Sequence, residues 1–125
     1  MKKIYILSLF LLQINDLVSQ EFKISVTAES RNDYKIVGSD SNGDIINFDP
    51  DLIFNLESKI ISEVNSPGHP FLLKSQAGFG KKNSIEDIEK NGLSKGIFEW
   101  EPKQKGTYYY QCVKHKNMVG KIIIQ

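Results

Sequence analysis

Apolar and polar residues alternate along much of the chain, which is the pattern of half-buried β-strands. Phe22, Ile24, Val26 and Ala28 show this period of two, and it returns in residues 52–56. Further strands are predicted at 34–38, 59–65, 69–75, 96–100, 107–112 and 119–125. About eight short strands separated by turn residues predict an all-β fold, a two-sheet Greek-key sandwich with Phe98 and Trp100 in its core.

Two connections between these strands carry further signals. The connection 76–95 is longer than most and contains Ser84-Ile-Glu-Asp87, a pattern that begins helices, so we expect a short helix at the sandwich edge. The connection 39–44 has acidic and amide residues at alternate positions, as in calcium loops. Ile45 stands where such a loop needs glycine, so a plain turn around Asn42 and Gly43 is favoured.

The first residues have the three regions of a secretory signal peptide. Lys2 and Lys3 precede an apolar run, residues 4–12, and a polar stretch then leads to the small residue Ser19. The run is too short to span a bilayer. Asp16 makes the cleavage motif imperfect, so an uncleaved anchor stays open beside the predicted signal peptide 1–19.

Cleavage after residue 19 leaves one domain, residues 20–125, which is long enough to bury its own core. It carries 14 basic and 14 acidic residues, so its formal charge is near zero. The domain lacks the excess of basic residues that would indicate nucleic acid binding. The sequence predicts a periplasmic or secreted monomer without stable membrane insertion.

Residues of the metal-binding types are concentrated near the C-terminus. Apart from Met1, the chain has one methionine, one cysteine and two histidines, and Cys112, His115 and Met118 lie within seven residues. The remaining histidine is His69. A thiolate, two imidazoles and a thioether suit copper, because sulfur favours Cu(I) and imidazole also accepts Cu(II). An odd cysteine in an exported protein also calls for an explanation, and a metal bond supplies one.

The spacing of these residues favours a single site. Tyr108, Tyr110 and Cys112 share one face of the predicted strand 107–112, so Cys112 ends a buried row. A tight turn after it brings His115 and Met118 back toward the sulfur. His69 lies 43 positions earlier, so the site forms only where two distant strand ends meet.

The chain resembles the cupredoxins of the plastocyanin and amicyanin type. The signature G-x-Y-x-Y-x-C-x2-H-x2-M-x-G is present from Gly106 to Gly120, and its short ligand loop is similar to the amicyanin-like branch. Residues 65–71 are similar to the strand end that carries the first histidine. Many cupredoxins follow that histidine with an asparagine that ties the two ligand loops together. Here the position is Pro70.

The resemblance implies a blue copper protein that carries single electrons and is not an enzyme. One copper ion would bind to His69, Cys112, His115 and an axial Met118. His115 would be the electron exit, and Lys114 and Lys116, with lysines 103, 105 and 121 nearby, would favour an acidic redox partner. Copper storage or delivery, zinc in place of copper, and an interaction module without redox activity are the alternatives.

Overall fold

Nine β-strands form in residues 20–125, the part of the chain that this computed structural model describes. The predicted signal peptide, residues 1–19, lies outside the described residues, so its cleavage stays a prediction. The strands are β1 (Glu21–Thr27), β2 (Lys35–Asp40), β3 (Gly43–Phe48), β4 (Leu52–Phe54), β5 (Lys59–Asn65), β6 (Phe71–Lys74), β7 (Lys95–Trp100), β8 (Gly106–Cys112) and β9 (Val119–Ile124).

The strands form two sheets. One has five strands in the order β3-β2-β1-β5-β7, and the other has four in the order β4-β9-β8-β6. β1 pairs with β5 and β4 pairs with β9 in parallel, while the other neighbours are antiparallel. Parallel partners cannot be joined by a tight hairpin, so the chain crosses between the sheets. The predicted all-β sandwich is confirmed.

The core lies between the sheets and follows the alternation of the sequence. Tyr110 and Cys112 of β8 are fully buried, and Phe98 and Trp100 of β7 are 3% and 5% exposed, as predicted. One cluster joins both sheets, so removal of apolar surface from water stabilises them together. Its members are Ile24, Val26, Tyr34, Ile36, Leu52, Phe54, Ile60, Val64, Phe71, Leu73, Ile88, Phe98, Trp100, Tyr110, Cys112, Met118, Ile122 and Ile124.

The helix predicted in the connection 76–95 is wrong. The described residues contain no helix, and hence none long and apolar enough to cross a membrane. Asn83 and Lys90 have positive φ angles of 64° and 60°, which an α-helix does not allow. The Asn91 side chain bonds the backbone of Leu73 and Ile85, so this connection is fastened to β6 instead.

β3 is a strand that the pattern did not reveal. It lies at the sheet edge, and most of its side chains are exposed, including Ile46 and Phe48. A turn does precede it, but it lies one residue earlier than the predicted Asn42-Gly43 turn, because Asp40 pairs with Gly43 and leaves Ser41 and Asn42 at the two central positions. The Asp40 carboxylate accepts hydrogen bonds from the backbone N–H groups of Asn42 and Ile53, so it stabilises the turn.

Candidate metal centre

His69 is the last residue of a turn that its own sequence encodes. Its N–H donates to the carbonyl of Ser66 at 2.8 Å, and Pro67 and Gly68 occupy the two central positions. Proline supplies the fixed φ of the first position, while Gly68, with φ of +82°, supplies the left-handed second position of a type II turn. The buried Ser66 hydroxyl donates to the His69 carbonyl at 2.8 Å and fixes the end of the turn.

Cys112 meets this turn because β6 and β8 pair with Phe71 opposite Cys112. The histidine two residues before Phe71 therefore lies beside the last residue of β8. Val113 N–H donates to the Pro70 carbonyl at 3.4 Å and continues the contact beyond the ladder. Two strand ends that are distant in the sequence therefore meet here, as predicted.

The ligand loop, residues 112–118, closes on itself. Cys112 N–H donates to the Met118 carbonyl at 2.9 Å, and Met118 N–H donates to the His115 carbonyl at 3.3 Å. These bonds turn the chain sharply between β8 and β9. Cys112 and Met118 are both fully buried in the core cluster, whereas His115 is half-buried.

Three donor atoms converge at this end of the sandwich. Nδ1 of His69 lies 3.2 Å from Nδ1 of His115, and Sγ of Cys112 lies 3.9 Å and 3.5 Å from those nitrogens. A point in their plane and equidistant from all three is about 2.1 Å from each, within the roughly 2.0–2.3 Å range of zinc–nitrogen and zinc–sulfur bonds. The three side chains therefore fit one metal ion, and they are the one such cluster in the described residues.

His69 is favoured in the neutral form, which is the form that binds metals. Burial, followed by the neighbouring His115 and Lys114, lowers the pKa of His69 from its ordinary value. A neutral imidazole keeps a lone pair for coordination. The two rings pack with their centroids 4.9 Å apart and their planes at 42°, which leaves both Nδ1 atoms facing the sulfur.

Pro70 replaces the asparagine of the resemblance, and the main chain takes over its linking role. The Pro70 carbonyl accepts from Val113 N–H and, at 3.0 Å, from the hydroxyl of Tyr34. The same hydroxyl lies 3.1 Å from the His69 carbonyl. Sequence reasoning missed Tyr34, which is fully buried, because it stands 35 residues before His69 and belongs to no motif.

Gln111 is the second residue that sequence reasoning missed. Alternation places it on the face of β8 opposite Cys112, where a glutamine is usually exposed. It is 1% exposed because residues 78–80 cover it, with Gly78 N–H donating to Oε1 and Gly80 N–H donating to the Val113 carbonyl. The buried Lys74 ammonium holds the same segment through the carbonyls of Gly78 and Gly80.

Solved structures contain the same fold. Rusticyanin from Thiobacillus ferrooxidans superposes with a TM-score of 0.59 at 18% identity, over 86% of this chain and 79% of that chain. Reduced rusticyanin gives 0.55 at 16% identity over 86% and 81%. A purple cupredoxin from Nitrosopumilus maritimus gives 0.51 at 17% identity over 82% and 98%. No protein-family model and no curated protein sequence matches the chain.

Likeness at these identities establishes the fold, and the side chains add the chemistry. Cys112, His69 and His115 converge, and the buried Met118 closes the loop beside them. This is the residue set of a type 1 copper site. The chain has the cupredoxin fold, and its His-Cys-His cluster with Met118 matches a type 1 copper site.

Proposed function

We propose that this protein carries single electrons between redox partners outside the cytoplasm, with copper bound to His69, Cys112, His115 and Met118. The observation that carries the proposal is the convergence of two imidazole nitrogens and one cysteine sulfur within 3.9 Å of one another. Bound copper would supply a one-electron couple between Cu(II) and Cu(I). One compared structure is named as the copper protein rusticyanin, and another as its reduced form.

The surrounding chain suits electron transfer better than catalysis on a substrate. Cys112 and Met118 are fully buried, so their sulfur atoms are shielded from solvent. Main-chain hydrogen bonds hold the histidine turn and the ligand loop in place. Fixed donors change little between two charge states of an ion, which favours reversible electron exchange.

The half-buried His115 is the proposed exit for the electron, and the charges around it favour an acidic partner. Lys114 and Lys116 flank it and are exposed. Lys81 and Lys82 are exposed just beyond Gly80, which bonds Val113. Phe79, 67% exposed, offers an apolar contact on the same segment.

Two lysines that the sequence analysis placed near His115 lie instead at the opposite end of β8. Lys103 and Lys105 precede Gly106, the first residue of β8, whereas Cys112 is its last residue. A strand of seven residues spans roughly 20 Å. That distance exceeds the screening length of about 10 Å at 0.1 M salt, so these lysines serve as controls.

Titration with Cu(II) tests the proposed function. An intense visible band should grow to one equivalent, bleach reversibly with ascorbate and be absent from Cys112→Ala, because it arises from the thiolate–copper bond. Copper binding without this band would favour storage or delivery instead. No copper binding by the wild-type protein would refute the metal assignment.

Stopped-flow oxidation of the reduced, copper-loaded protein by hexacyanoferrate(III) tests the positive end. The rate with this anion should fall as ionic strength rises, and should fall further in a Lys114→Glu/Lys116→Glu double variant. The Lys103→Glu/Lys105→Glu variant has the same net charge and should react like the wild type at 0.1 M salt. Rates that do not depend on ionic strength would count against electrostatic docking.

A further inference from the structure

The side-chain amide of Gln111 lies at the centre of the ligand loop. Its Nε2 is close to four backbone carbonyl oxygens and within hydrogen-bonding distance of each. They belong to Cys112 at 3.3 Å, His115 at 3.0 Å, Lys116 at 3.2 Å and Met118 at 3.3 Å. Three of these four carbonyls belong to proposed ligands, so one side chain contacts nearly the whole coordinating loop.

The chemistry of this position requires a hydrogen-bond donor. Carbonyl oxygens aimed at one point repel each other, and a donor placed among them offsets this repulsion, although the Met118 and His115 carbonyls also accept from the backbone. The Gln111 amide offers two N–H groups that the four carbonyls share. Its Oε1 accepts from Gly78 N–H at 3.2 Å, which fixes the orientation of the amide. The donor side is therefore held toward the loop.

We propose that Gln111 is a positioning residue that holds the loop 112–118 in its metal-ready shape before the metal binds. This rests on the proposed function, because the loop matters as the source of three ligands. Gln111 forms no hydrogen bond with the proposed metal-binding atoms, and it acts through the backbone carbonyls of the loop. Through Gly78 it also joins the ligand loop to the segment that carries Phe79.

Two variants separate the donor role from the acceptor role. Gln111→Glu keeps an oxygen for Gly78 N–H and has nearly the same shape, but it replaces the two amide N–H donors with at most one O–H, since burial among carbonyls favours the protonated carboxyl. Gln111→Met has similar length and loses both functions. Ile60→Val in β5 is the matched control, because it trims the core of the other sheet and lowers stability without touching the loop.

Amide hydrogen exchange of the metal-free protein is the first measurement. The loop amides of Cys112, Val113 and Met118 should exchange at least tenfold faster in both Gln111 variants, and no faster in Ile60→Val than the rest of the domain. Gly78 N–H should remain protected in Gln111→Glu and lose protection in Gln111→Met. Loop exchange within twofold of the wild type, or a rise shared equally by all strands, would overturn the proposal.

Metal affinity is the second measurement. Both variants should bind Cu(II) about 10- to 100-fold more weakly than the wild type, the range found when groups that orient ligands are removed. Unchanged affinity in both would overturn the proposal. If the wild type binds no copper, the proposed function fails, while hydrogen exchange still tests Gln111.

A measurement on the wild type covers the case in which neither variant folds. The Gln111 side-chain amide protons should exchange slowly with solvent in the metal-free protein, because they are buried and bonded to the loop. Slow exchange supports the proposed contact. Side-chain exchange as fast as that of the exposed Gln76 or Gln104 would refute it.

Discussion

Substitution of Tyr34 by phenylalanine removes a single oxygen beneath the metal centre. The hydroxyl is fully buried and lies 3.1 Å and 3.0 Å from the carbonyls of His69 and Pro70. Burial, and then the nearby Cys112, raises the pKa of this phenol, so it remains a donor at neutral pH. Its ring packs edge-on against Phe71 at 5.1 Å and should stay in place.

The expected loss of unfolding free energy depends on which hydrogen bonds each carbonyl retains. The His69 carbonyl still accepts from Ser66 Oγ at 2.8 Å, and the Pro70 carbonyl still accepts from Val113 N–H at 3.4 Å. Neither becomes unsatisfied, so the loss is that of one shared hydrogen bond, about 1 kcal/mol of unfolding free energy. Because this bond restrains His69, metal affinity should fall by up to about fivefold.

Tyr110→Phe is the matched control. Tyr110 is equally buried, and its hydroxyl donates to the Pro50 carbonyl at 2.6 Å, for which the described residues supply no second donor. This loss should cost about 1–3 kcal/mol, at least as much as the loss at Tyr34. Metal affinity should nevertheless be unchanged, because Pro50 carries no ligand.

Urea denaturation of the metal-free proteins and competitive Cu(II) titration measure the two effects. The expected pattern is a reversal: Tyr110→Phe is the less stable variant, and Tyr34→Phe is the weaker metal binder. Equal losses of affinity in the two variants would show that general loosening of the core, and not the Tyr34 hydroxyl, controls the site. Unchanged affinity in Tyr34→Phe would refute the restraint on His69 directly.

Three further substitutions test other parts of the structure. Gly120→Ala should destabilise the protein by about 1–3 kcal/mol in urea, because the added methyl overlaps the phenol of Tyr110. The Gly120→Ala/Tyr110→Phe double variant should lose less than the sum of the two single losses, because the hydroxyl oxygen is part of the overlap, and strict additivity would argue against the overlap. Burial raises the pKa of Asp49 to about 6 from 3.8. The folded state therefore binds the proton more tightly than the unfolded state, and stability should fall as pH rises from about 4 to 6. Asp49→Asn should remove this slope, worth at most about 2 kcal/mol at neutral pH since the carboxyl is partly exposed, and an unchanged slope would exclude Asp49 as its source. Met118→Leu should keep copper and raise the reduction potential, because the axial donor tunes it, whereas an unchanged voltammogram would argue that Met118 is not a ligand.

The sequence by itself determined the parts of the fold that depend on local periodicity and local turn chemistry. The alternation of apolar and polar residues predicted Tyr110 and Cys112 on the buried face of β8. Pro67 and Gly68 favour the turn before His69. The spacing of Cys112, His115 and Met118 closes one short loop. These features need only neighbouring residues, which is why the chain order was sufficient.

Only the tertiary structure decided which distant groups support the site. Tyr34 reaches His69 across 35 positions, and Gln111 is buried because Gly78, 33 positions earlier, covers it. The helix predicted after Ser84 fails for the same reason, since contacts with β6 outweigh a local helix signal. Such contacts depend on which distant strands and connections pack against each other, and no periodic pattern in the sequence records them.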